Sequence, residues 1–139
     1  MRSPSSSQKR TALSRSFWDQ RRFKEAQAEI EAATAEVGPQ DVDGHWALHQ
    51  AYTLGVGELD TPERWRRAFH HLLRAAQVGK EPMLLLKVAS HYWGGLNGVE
   101  RDLVAAHAWL HAAIATGSED ARTMYTDFLR KHKSFRPKA

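Results

Sequence analysis

The sequence predicts an all-α protein, a short α/α superhelical repeat array of about six helices. Apolar residues recur at three- and four-residue steps through successive segments. Glycines close those segments at intervals of roughly forty residues, a period typical of stacked helix pairs. No stretch shows the period-two alternation of a half-buried strand.

Residues 1–15 are Ser-rich, contain Pro4 and hold few apolar groups, so a disordered basic tail is expected there. A repeat domain is expected over 16–132. Its first helix is predicted over Phe17–Val37, where alanine and glutamate are frequent and Phe17, Phe23, Ile30, Ala33 and Val37 share a face; Gly38-Pro39 stops it. A second helix runs from about His45 to Leu54 and is broken by Gly55 and Gly57. Thr61 can cap a third, and Pro62 suits its first position, where a missing N–H costs nothing. That helix carries Trp65, Ala68, Phe69, Leu72, Leu73 and Ala76 at helical spacing and ends at Gly79. Pro82 opens a fourth through Trp93, followed by Gly94, Gly95 and Gly98. Asp102 caps a fifth, with Leu103, Ala106, Trp109, Leu110 and Ala113 inward, and Gly117 ends it. Ser118 with Glu119 and Asp120 starts a sixth, since acidic groups favour a helix N-terminus; it fades near His132, and 133–139 read as a second basic tail.

Tyr52-x-x-Gly55 returns as Tyr92-x-x-Gly95, and Ala68, Ala75 and Gly79 return as Ala106, Ala113 and Gly117. The stretch from Tyr92 through Gly95, Gly98, Val99, Asp102, Ala106, Trp109 and Ala113 to Gly117 resembles the Sel1-like repeat, a relative of the tetratricopeptide repeat. The segment from His45 to Gly79 is a looser copy. It keeps Tyr52, Gly55, Gly57, Ala68 and Gly79, but has Arg64 in place of the aspartate, His49 where a small residue is usual, and a longer turn. Full repeats are therefore expected over 45–79 and 83–117, flanked by half-repeats over 17–38 and 118–132. One helix pair cannot bury its apolar face alone, so stacking of pairs would supply the core.

The resemblance implies a protein–protein interaction module. Such arrays act as adaptors or inhibitors, immunity-type neutralisers of a toxic partner among them, and they grip another protein on a concave face lined by the first helix of each unit. Aligning the first helices on Tyr52 and Tyr92 puts Leu48, Leu85 and Val88 with the tyrosines in the core. Left over as partner-binding candidates are Trp46, Gln50 and Thr53 in one helix and Leu86, Lys87, Ser90, His91 and Trp93 in the next. Trp46 and Leu86 share a register, and an apolar step repeated on an open face suits a protein-binding groove. The competing reading is that both are buried by the preceding helix or the N-terminal segment.

Composition narrows the other classes. The chain has 139 residues, enough for one modest core, with 42% hydrophobic and 26% charged side chains. It holds no cysteine, which removes disulfides, thiol nucleophiles and Cys-based zinc sites. No apolar run approaches a membrane span, and the basic N-terminus lacks the apolar stretch of a secretory signal, so a cytoplasmic address is expected. The formal charge is +4, unevenly spread. Residues 1–24 hold seven basic side chains against Asp19, residues 128–139 hold five and no acid, and 25–127 hold eight against fifteen acidic. An acidic body favours a partner with a basic surface and repels phosphate backbones. The alternative is nucleic-acid or anionic-membrane association through Lys9-Arg10, Arg21-Arg22 and Arg130-Lys131-His132-Lys133. The pairs His45/His49 and His107/His111 have chelating i, i+4 spacing, but no third acidic ligand stands near in sequence, so no metal is expected. Of the adjacent His70 and His71, one is expected in the packing and one in solvent. Ser90 and His91 are neighbours whose side chains diverge on a helix, and the glycines after Trp93 lack a P-loop lysine; neither catalysis nor a cofactor is expected.

Overall fold

A computed structural model describes residues 3–57 and 59–135. The fold is all-helical, with seven helices and no strand among those residues. They are α1 Ser6–Asp19, α2 Phe23–Glu36, α3 Val42–Thr53, α4 Thr61–Gly79, α5 Pro82–Gly94, α6 Leu103–Ile114 and α7 Glu119–Lys131. The chain forms two compact units, one ending at Val78 and the other beginning at Gly79.

The extra helix is at the N-terminus, and here the sequence expectation needs correcting. Of the disordered tail expected over 1–15, residues 6–15 are helical and 1–2 lie outside the described residues: α1 begins at Ser6, and the helix predicted over Phe17–Val37 is in fact the end of α1, a turn and α2. Ser5 closes a capping box with Gln8, its hydroxyl accepting from the Gln8 N–H while the Gln8 side chain accepts from the Ser5 N–H. Arg21 takes a left-handed backbone (φ 60°) between the two helices. Serines argue against a helix when they compete for backbone groups, but Ser7, Thr11 and Ser14 lie at i, i+4, i+7 and are buried as a stripe of small residues. The stripe faces α2, where Ser7 donates to the Ala33 carbonyl at 2.8 Å and Ser14 to the Ala26 carbonyl at 2.5 Å. Hydroxyls bonded to carbonyls thus do here what methyl groups do elsewhere.

The first unit's core joins Ile30 and Ala33 of α2, Leu48, Ala51 and Tyr52 of α3, Val56, and Ala68 of α4, with Trp18 and Trp65 packed on its rim. A hydrogen-bond chain links three helices: Arg67 donates to the Tyr52 hydroxyl (3.3 Å), Tyr52 to Thr34 (2.7 Å), and Thr34 to the Ile30 carbonyl (2.9 Å). His49, the bulky residue in the looser repeat copy, is buried and donates from Nδ1 to the Ala68 carbonyl at 2.8 Å. Arg64, in the place of the expected aspartate, lays its guanidinium 4.4 Å from the centre of the Trp65 ring. Asp60 rather than Thr61 caps α4, accepting from the Glu63 N–H at 2.9 Å. That helix ends at Gly79, where the sequence places its end, and Lys80 takes the left-handed position that follows (φ 54°).

In the second unit α6 packs along α5, and α7 packs on α6. Ala89, Ala106, Leu110 and Phe128 form the fully buried centre, and Leu103, Trp109, Tyr92 and Phe135 close around it. Asp102 and Ser118 cap α6 and α7 as the sequence predicts. The α5–α6 turn needs glycine at 95: its φ is +63°, and a Cβ there would stand 3.3 Å from that of Arg101. Phe135 packs on the core, so the basic tail predicted over 133–139 is not free at its start; 136–139 lie outside the described residues. Among the described residues no helix is long and apolar enough to cross a membrane.

Candidate functional site: a groove between α5 and α7

Helix α5 is apolar on two sides. Leu85, Val88 and Ala89 are buried. Met83, Leu86, Ser90 and Trp93 follow one another at i, i+3, i+7, i+10, a second stripe on the same helix. Along α7, Asp120, Met124, Asp127 and Lys131 recur at i, i+4, i+7, i+11. The two stripes meet in a groove of about 740 Å³ with Met83, Leu86 and Met124 as its apolar lining and Glu81 and Asp120 among its polar residues. Ser90 approaches the Met124 sulfur at 3.9 Å. The indole N–H of Trp93 donates to Nε2 of His132 at 2.6 Å, and its ring lies edge-on to Phe128, 5.3 Å between centres. Lys131 stands 5.6 Å from the centre of the Trp93 ring. A smaller depression bounded by Ser90, Trp93, Gly94, Asp127 and Lys131 adjoins it. Asp127 is held by Arg130 and by Lys131 (3.2 Å), and these hydrogen bonds pull its carboxyl below the ordinary range.

Of the five α5 residues expected to bind a partner, Leu86, Lys87 and Ser90 line this groove, and Trp93 lies at its far end, lining the adjoining depressions. Leu86, Ser90 and Trp93 are half-buried and Lys87 is exposed. His91 differs. It is buried, and its Nδ1 N–H is spent on the Lys87 carbonyl at 2.7 Å, so it supports the helix rather than the groove. Ser90 likewise donates to the Leu86 carbonyl at 2.9 Å, and serine and histidine thus point to different carbonyls instead of to each other. On α3, in the first unit, Trp46 is half-buried with its ring 5.3 Å from that of His49. Gln50 is exposed, and the Thr53 hydroxyl bonds back to the His49 carbonyl at 2.8 Å.

Met83, Met124, Glu81 and Asp120 escaped the sequence reading. The step from Met83 to Leu86 is visible in the sequence, whereas the facing stripe on α7 is a tertiary relation that one helix alone does not display. The histidines fall into two settings. His71 is buried and His70 exposed, as expected of adjacent helical positions. His107 meets the Tyr125 hydroxyl at 2.9 Å, and burial, then His111, pushes its pKa down. No group of three or more His, Asp or Glu placed to hold a metal stands among the described residues. No known protein family, curated protein or solved structure matches the chain.

Proposed function

We propose that the chain is a protein-interaction module of the Sel1-like kind, an adaptor or an immunity-type inhibitor, that holds a segment of a partner protein in the α5–α7 groove. The supporting observation is the half-open apolar stripe Met83–Leu86–Trp93 facing Met124, with acidic residues at one end. Thioether and isobutyl side chains repack around differently shaped apolar anchors, as suits a surface that accepts another chain. Glu81 and Asp120 lie at the helix starts, so the favoured occupant carries an apolar anchor flanked by lysine or arginine.

Peptide display against the full-length chain tests this. Selected sequences should pair an apolar residue with neighbouring cations. Leu86→Ala with Met124→Ala should weaken the selected peptides by about 2 kcal/mol or more while the helical circular dichroism is kept. Peptides that bind the double variant as well as the parent would refute the groove. Trp46→Ala asks separately whether α3 contributes: a further loss assigns α3 to the binding surface, and unchanged affinity removes it.

A further inference from the structure

The groove is in the second unit; the first unit has a cleft of opposite character. Thr34, Val37, Pro39 and His45 form one side of it, and α4 the other. Its α4 side presents Arg66, Arg67, His70, His71 and Arg74, and among the described residues no acidic one lines it. Arg66, His70 and Arg74 recur at i, i+4, i+8, spanning about 12 Å of helix. Arg66 and Arg74 stand eight residues apart, too far to pair with each other, and both side chains border the cleft.

The donors are unequally engaged. Arg67 is held in place by Glu63 (3.0 Å) and the Tyr52 hydroxyl (3.3 Å). Arg66 reaches Glu63 through a side chain that is 71% exposed, a contact easily exchanged. Among the described residues Arg74 reaches the Gln77 side chain at 3.4 Å and the Pro39 carbonyl at 3.5 Å, both at the outer limit of a hydrogen bond. Beneath them, His45 donates from Nε2 to the Gly38 carbonyl (3.1 Å), which leaves its Nδ1 to accept from Nδ1 of His71 (2.9 Å). The floor is thus a pair of neutral imidazoles, and the positive charge sits at the walls.

We propose that this cleft is an oxyanion site that takes a phosphorylated small molecule. Planar guanidinium groups bind phosphate oxygens two at a time, and Arg66 and Arg74 border the cleft about two turns apart on α4. The cleft measures about 650 Å³, far more than a bare phosphate fills, and falls in the range of ligand pockets. Val37 and Pro39 supply an apolar wall for the organic part.

Titration of the full-length chain with adenosine monophosphate and with pyrophosphate, followed by backbone amide shifts at about 0.1 M salt, tests the site. Saturable shifts should centre on 66–74 and His45. Arg66→Gln with Arg74→Gln should weaken binding at least about tenfold, about 1.4 kcal/mol, with helix content kept. Arg15→Gln with Arg122→Gln removes the same charge from exposed positions elsewhere and should leave binding unchanged. No saturable binding of either probe, or equal weakening in the two double variants, overturns the proposal. A phosphoserine peptide that binds while both small probes fail would also overturn it, because the phosphate would then belong to a protein.

Discussion

At the scale of single residues, His71 links packing to pH. Burial, then coupling to the neighbouring His45, His70, His49 and Arg67, lowers its pKa to about 3. The unfolded chain therefore binds a proton at this position between roughly pH 6.5 and 3 that the folded chain refuses. Stability from this group is complete above pH 6.5, falls as pH drops through that window and is fully lost below it. His45, also lowered by burial, adds to the same slope. Thermal unfolding followed from pH 7 to pH 4 should show a steady drop in Tm, and His71→Gln, which keeps a donor toward His45, should flatten it. An equal slope in the variant would mean that other groups control the acid limb. Lys80 offers a second test. A lysine in the left-handed region is strained in a way glycine is not, so Lys80→Gly should stabilise by up to about 1 kcal/mol in denaturant melts. A neutral or harmful effect would mean that the lysine side chain makes up for the strain.

At the scale of elements, most helix limits were legible because they rest on local chemistry. Asp102 and Ser118 accept from the N–H groups three residues on, and Gly95 supplies a left-handed C-cap; each is visible in a few letters of sequence. Buried positions followed from periodicity, and Ala68, Leu72, Ala106, Leu110 and Ala113 are all inside. Helix α1 was hidden for a physical reason. Its docking face is built of hydroxyls, and only the coordinates show the carbonyls that accept from them. The groove was half legible for a similar reason: one helix gives one stripe, and which other helix faces it is a tertiary fact. If α1 is docked as described, size rather than polarity limits its stripe. Ser14→Leu should cost about 1–3 kcal/mol by forcing α1 away from Ala26, whereas Ser14→Ala should cost about 1 kcal/mol. Hydrogen exchange across 6–19 should rise sharply in the leucine variant alone. Unchanged protection there would show that α1 does not depend on close contact with α2.

At the scale of the whole chain, the question is what the uneven charge does. The rival to a protein-binding role rests on the basic ends, and the structure alters the terms of that contest. Arg10 is not a free cation: it pairs with Glu36 at 2.9 Å and Glu29 at 3.1 Å, and those carboxylates raise its pKa. Arg22 pairs with Glu25 at 3.0 Å, and at the other end Arg130 and Lys131 share Asp127. Lys9, Arg15 and Lys24 remain as exposed cations on α1 and α2. Deleting residues 1–15 would remove most of a packed helix and confuse loss of charge with loss of fold. Replacing these three residues with glutamine leaves α1 in place. Two charge-dependent outcomes then separate cleanly. Counterion release predicts that duplex DNA binding falls steeply with salt, with a slope set by the number of phosphates neutralised. A peptide held in an acidic-ended groove responds far less. The triple variant should keep the affinity of groove-selected peptides within about twofold, and the parent should hold a short duplex only weakly at physiological salt. Tight duplex binding by the parent, abolished in the triple variant while the peptides bind neither protein, would transfer the function to the basic ends.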